Sequence, residues 1–261
     1  GGVLSGRLGY TFVYDFFDST AFNYGNNFDH QFLMAGSFRF LPRTAIVYDL
    51  NADYMALQPG GGPVSALLSN GFRLTTRIGL NGAFTSRLSA SAMVGYGAGF
   101  YQTAAVSDYE SLVAQLEVRW QISDAARLAL GYDRNFYSAF IGNFVRRDRG
   151  YLNFQLFIGG QFLLGAEAAV GLFDFGTPLA ADGITPLGHT AGGNPARSDI
   201  MLIGSLFAEY RFTEWFGLNA TIRYTGDFTD WQYERTDTTG TVIAPAKYNK
   251  FEAFLGARVF L

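Results

Sequence analysis

The sequence predicts an all-β fold, a transmembrane antiparallel up-and-down β-barrel of twelve strands filling residues 1–261 as a single domain. Three observations predict it. Residue character alternates with period two along most of the chain. The alternating segments are long. The connections between them are short and long in turn.

Bulk composition sets the frame. Apolar residues make up 49% of the chain, yet no run of about 18 of them is unbroken, which excludes a helical membrane protein. Aromatics reach 17%, high for a water-soluble domain. The net charge of −3 gives no reason to expect nucleic acid. The absence of cysteine fits an exported protein. The chain opens in strand-like sequence, so any signal peptide is expected to have been removed.

In an extended strand, alternate residues face opposite sides. Residues 4–16 set Leu4, Leu8, Tyr10, Phe12, Tyr14 and Phe16 against Ser5, Arg7, Thr11 and Asp15. Residues 28–40 set Phe32, Met34, Phe38 and Phe40 against Gln31, Ser37 and Arg39. Residues 45–56 set Ile46, Tyr48, Leu50 and Tyr54 against Asp49, Asn51 and Asp53. Residues 72–80 oppose Leu74, Ile78 and Leu80 to Arg73, Thr75 and Arg77. Residues 87–100 oppose Leu88, Val94 and Tyr96 to Arg87, Ser89, Ser91 and glycines. Residues 111–122 oppose Leu116, Val118 and Trp120 to Gln115, Glu117 and Arg119. Residues 127–136 oppose Leu128, Leu130, Tyr132 and Phe136 to Arg127, Asp133 and Asn135.

The second half repeats the pattern. Residues 150–158 oppose Leu152, Phe154 and Leu156 to Tyr151, Asn153 and Gln155. Residues 163–173 oppose Ala166, Ala168, Val170 and Leu172 to Glu167 and Phe173. Residues 200–212 oppose Leu202, Leu206 and Tyr210 to Ser205, Glu209 and Arg211. Residues 216–227 oppose Leu218, Ile222 and Tyr224 to Asn219, Arg223 and Asp227. Residues 250–261 oppose Phe251, Leu255, Val259 and Leu261 to Lys250, Glu252 and Arg258.

Short turns are predicted at 41–43, 85–86, 123–126, 159–161 and 213–215. Long polar loops are predicted at 17–27, 58–70, 102–109, 138–148, 176–198 and 229–247. A tilted membrane strand needs about 9–11 residues, and these segments reach that length. Aromatics gather at both strand ends, where rings sit at lipid headgroups. A soluble β-sandwich also alternates. Its shorter strands and lack of girdles fit this chain less well.

In these features the chain resembles the porin-like outer-membrane β-barrel class of Gram-negative bacteria, and no motif selects a family within it. The resemblance implies a bacterial outer-membrane location, periplasmic short turns and termini, and contact with outer-membrane lipid and lipopolysaccharide. One departure is that Leu261 follows Phe260, where the class ends on an aromatic.

The inward parity carries the candidate site. Arg7, Arg39, Arg77, Arg87, Arg119, Arg127, Arg211 and Arg258 are expected near the short-turn end. The acids Asp15, Asp49, Asp53, Asp133, Asp227 and Glu252 fall mostly higher. A basic collar of this kind attracts anions. The competing reading is a wall in which Glu117 and Glu209 neutralise neighbouring arginines. The collar is similar in kind to those of narrow twelve-stranded channels for acidic sugars. Tyr151, Phe157, Phe173, Phe207 and Phe254 are expected to make one lumen wall bulky, opposite glycines at 95, 97 and 99. Those glycines are read as easing strand bending, with loop 176–198 lying on them as the alternative.

No enzyme is expected. His30 and His189 lie in or beside proposed loops, and neither has a serine nucleophile evident nearby. No cofactor or metal is expected, since Asp227, Asp230 and Asp237 read as solvated loop acids. Gly95–Gly99 lies within a strand and is no phosphate loop. Arg146, Arg147 and Arg149 are placed in an external loop, where lipopolysaccharide phosphates are one partner for them. The expected function is a narrow porin-like diffusion channel for small solutes, with anions as one candidate class. The alternative is a non-conducting anchoring subunit that binds other envelope proteins.

Overall fold

The computed structural model describes residues 3–19, 25–58, 69–102, 108–139, 142–177, 179, 184–237 and 240–259, with the side chains of 235–237 excepted. The early strands are β1 (Leu4–Asp15), β2 (Asn27–Leu41), β3 (Thr44–Leu57), β4 (Gly71–Ala83) and β5 (Leu88–Tyr101). They continue as β6 (Tyr109–Gln121), β7 (Ala126–Ala139), β8 (Asn143–Ile158), β9 (Phe162–Phe175) and the short β10 (Gly188–Thr190). The last are β11 (Ser198–Arg211), β12 (Phe216–Phe228), β13 (Trp231–Asp237), β14 (Gly240–Pro245) and β15 (Tyr248–Val259).

Twelve of these form one sheet in the order β1 to β9, then β11, β12, β15. Each neighbouring pair is antiparallel. The all-β, up-and-down, twelve-stranded expectation is met. Closure is not: among the described residues no ladder joins β1 to β15. The sheet is nonetheless curled, because side chains on its concave face meet across skipped strands. Tyr151 on β8 donates to Glu117 on β6 at 2.5 Å, and Arg258 on β15 reaches Glu209 on β11 at 3.0 Å.

Alternation sends the apolar parity outward. Leu8 on β1 is 80% exposed and Leu255 on β15 is 90% exposed. The buried hydrophobic cluster among the described residues holds only Tyr109, Val113 and Phe136, with Phe144 packed against it. A water-soluble domain of this composition would bury its leucines and phenylalanines. Here they coat the convex surface, which suits a lipid solvent.

Phe136 differs from the sequence expectation. Strict alternation puts it outside, yet it is 6% exposed and its ring lies 4.5 Å from that of Tyr109 on the concave side. The β6–β7 ladder runs only from Gln121–Arg127 to Ala114–Arg134. Past that point β7 keeps only its ladder to β8, as far as Ala139–Asn143, which leaves its β6 side open beside the Phe136 ring. The ring takes the space that side chains at Gly97 and Gly99 would fill, within 2.5 Å of a Cβ built on Gly97. The glycines therefore seat a ring, beyond easing a bend. Gly97→Val should cost about 1–3 kcal/mol by overpacking. It should appear as a lower unfolding temperature in detergent, whereas Gly150→Val, with nothing within 4 Å, should leave that temperature unchanged.

All five short turns fall where predicted. The long connections needed revision. Strand β8 begins at Asn143, so Arg146, Arg147 and Arg149 lie in a strand and not in a loop. Loops 176–198 and 229–247 contain a small second sheet, β10-β13-β14.

Candidate functional site

Two of the cavities on the concave face lie toward opposite ends of the strands. The turn-end cavity, of about 730 Å³, is lined by Arg87, Ser89, Glu117, Arg119, Arg127 and Tyr151, among others. The strands stagger these side chains by register. Arg87 shares a rung with Gln121, which pairs with Arg127, which pairs with Gln155. Adjacent strands lie about 4.8 Å apart, so Arg87 and Arg127 stand about 10 Å from each other with β6 between them. Among the described residues Glu117 is the one acid lining this cavity, and it is engaged by Arg119 at 2.5 Å and by the Tyr151 hydroxyl.

The loop-end cavity, of about 630 Å³, has the opposite character. Asp15, Asp29, Asp53 and Arg73 supply its charges, among Asn27, Gln31, Asn51 and Asn135. Arg73 reaches Asp29 at 3.3 Å and Asp53 at 3.6 Å. It also donates to the Ser138 hydroxyl on β7, three strands away, which ties the two walls together.

The eight expected arginines divide into two groups. Arg77 sits mid-strand on β4, not at the short-turn end, and clamps Asp49 through two hydrogen bonds of 3.0 and 2.9 Å. It donates to Gln115 as well, at 3.3 Å. Arg119 is paired with Glu117, while Arg211 and Arg258 share the fully buried Glu209 at 3.0 Å each. Arg7, Arg39, Arg87 and Arg127 make no ion pair among the described residues, and Arg127 donates to the Gln155 amide at 2.8 Å. So among the described residues four of the eight arginines pair with acids and four do not, and of the latter Arg87 and Arg127 line the turn-end cavity.

The five expected lumen aromatics form no ring contact with one another among the described residues. Tyr151 lies under the Arg149 guanidinium, 5.1 Å from its centroid, in space left by Gly131. Phe157 faces Arg211 at 5.9 Å. Phe173 packs at Gly171, Phe207 at Gly165, and Phe254 on β15 is 52% exposed. Tyr101, Tyr109 and Phe136 crowd the opposite, glycine-bearing wall instead.

A further buried cluster was not foreseen. Arg197, just before β11, donates twice to Asp199 at 2.9 and 2.6 Å and lies 3.5 Å from Asp227. Both carboxylate side chains are fully buried. The guanidinium stacks on Phe175 at 4.3 Å and bonds the Tyr233 hydroxyl at 3.1 Å. Trp231, wholly buried, fixes the small sheet above it by donating to the Pro195 carbonyl at 3.1 Å. The expectation that Asp227 is a solvated loop acid is therefore replaced, and the side chain of Asp237 lies outside the described residues. His30 is on the outer face of β2, where its Nδ1 is 2.8 Å from the Tyr10 hydroxyl. His189 faces Glu234 at 3.2 Å in the small sheet. Neither sits beside a serine nucleophile among the described residues.

No protein-family model and no curated protein sequence matches the chain. Solved structures do. A FadL homologue from Pseudomonas aeruginosa superposes with a TM-score of 0.50 at 12% identity, over 98% of this chain and 74% of that one. The CymD monoaromatic hydrocarbon channel gives 0.42 at 11% identity, over 100% and 80%. Long antiparallel strands, an apolar convex wall, a charged concave face and this likeness agree: the chain has the up-and-down antiparallel fold seen in the FadL homologue, its twelve strands unclosed among the described residues.

Proposed function

We propose that the protein is a narrow outer-membrane channel for small solutes, with anions favoured at its turn end. One observation supports this above the others: the turn-end cavity presents Arg87, Arg119 and Arg127 against a single acid, Glu117. Charge of one sign in a confined, low-dielectric mouth concentrates ions of the other. The reading requires the edges of β1 and β15 to be paired, because bare strand edges in hydrocarbon leave backbone groups unsatisfied at several kcal/mol each. The faces are compatible, since Arg7 and Thr11 on β1 and Glu252 and Arg258 on β15 share the concave parity. On this reading the short turns and both ends of the chain are periplasmic, and the convex wall meets lipid and lipopolysaccharide.

Purified protein in a planar bilayer should give steady single-channel steps. Arg119→Glu with Arg127→Glu should move the reversal potential in a salt gradient toward cations. Steps with an unmoved reversal potential would contradict the anion preference. The complete absence of steps would favour a non-conducting barrel that anchors other envelope proteins.

A further inference from the structure

The two cavities carry opposite charge along one axis. At the turn end three arginines face one glutamate, and at the loop end three aspartates face one arginine. Between them on β4 lies Arg77, which lines neither cavity. It falls between Thr75 of the loop-end cavity and Ala83 of the turn-end cavity, and it is neutralised by Asp49. Along the wall lined by these two cavities the sequence of charge is therefore acidic, balanced, basic, while beside it the loop-end acids Asp133, Asp199 and Asp227 stand with Arg147, Arg149 and Arg197.

We propose that this arrangement makes the bore a bipolar channel that rectifies ionic current. The inference rests on the channel reading above and adds a property that reading does not require. An acidic segment admits cations and excludes anions, and a basic segment does the reverse. When the loop-end compartment is positive, cations enter through the acidic cavity and anions enter through the basic one. Both accumulate at the waist and conductance rises. With the voltage reversed, each ion must enter through the segment that rejects it, so the waist is depleted and conductance falls. A wall potential of about one kT already changes local ion concentrations about threefold. The screening length of about 10 Å at 0.1 M salt is comparable to the spacing of the wall charges, and it shrinks to about 3 Å at 1 M.

The test is the current–voltage relation of single channels in a planar bilayer at 0.1 M and 1 M potassium chloride. Orientation is read from a Ser86→Cys variant, because the chain has no other cysteine and Ser86 is exposed at the turn end. A sulfonated thiol reagent then alters the current only from the chamber that holds the turns. At 0.1 M, the current with the loop end positive should exceed the reverse current by about twofold or more. At 1 M the ratio should fall toward one. Arg87→Glu with Arg127→Glu makes both ends acidic and should abolish the asymmetry. Asp15→Asn with Asp53→Asn leaves Asp29 balanced by Arg73 and should weaken it, which provides a second route if the glutamate variant does not fold. Equal currents at both polarities in 0.1 M salt, or a larger current with the loop end negative, would overturn the inference and leave the channel standing. A bilayer with no steps would overturn the channel reading, and the inference with it.

Discussion

Arg197→Met should destabilise the loop end by about 3–5 kcal/mol, the range seen when one partner of a buried ion pair is removed. The Arg197 side chain is 10% exposed, and it is the cation bonded to Asp199 and 3.5 Å from Asp227, two carboxylates that are 0% exposed. Removing the guanidinium strands that charge away from water. It also removes the bond to Tyr233 and the stacking on Phe175, which help fix β13 over β11 and β12. The expected signs are a lower urea midpoint and easier quenching of Trp231 fluorescence. Adding Asp199→Asn and Asp227→Asn should restore most of the loss, because neutral amides in the same space no longer need a countercharge. If the single variant kept the wild-type midpoint, the cluster would not be holding the small sheet in place.

The second large effect concerns the convex wall. Leu206→Arg places a charge midway along β11 on a face where the leucine is 61% exposed. In hydrocarbon that should cost about 2–4 kcal/mol. The neighbouring change Ser205→Arg points to the concave face, opposite Glu167 across the β9 ladder, and should cost less than about 1 kcal/mol. Refolding into lipid vesicles followed by urea titration measures both. In a water-soluble sheet the order would reverse, since an exposed leucine is readily exchanged for arginine there.

These cases show why some of the molecule is readable from sequence and some is not. The long strands are legible because each one has an apolar convex side and a polar concave side, which imposes the two-residue period directly. The turns are legible because Pro42, Gly159 and Gly160 interrupt that period, and both glycines adopt positive φ. Phe136 was not legible, because its face depends on where the β6–β7 ladder stops, a property of two strands together. The start of β8 was missed because Arg146 and Asp148 on one parity and Arg147 and Arg149 on the other leave no apolar side. The strand there is held by cross-strand ions: Arg147 and Arg149 to Asp133, and Arg146 to Asp174. The free arginines of the turn-end cavity could be named in advance, but their lack of acid partners could not. Partner choice is set by register: Arg77 meets Asp49 because those positions are directly paired. Arg127 meets Gln155 for the same reason.

The central claim is that these strands stand in a bilayer with one parity facing lipid and the other facing a watery bore. Single cysteines at successive positions from Leu218 to Thr225 on β12, in protein reconstituted into liposomes, test it most directly. Asn219, Thr221, Arg223 and Thr225 positions should react with a small charged thiol reagent, while Leu218, Ala220 and Ile222 positions should stay unlabelled. Uniform reactivity along the strand, or alternation in the opposite phase, would contradict the account.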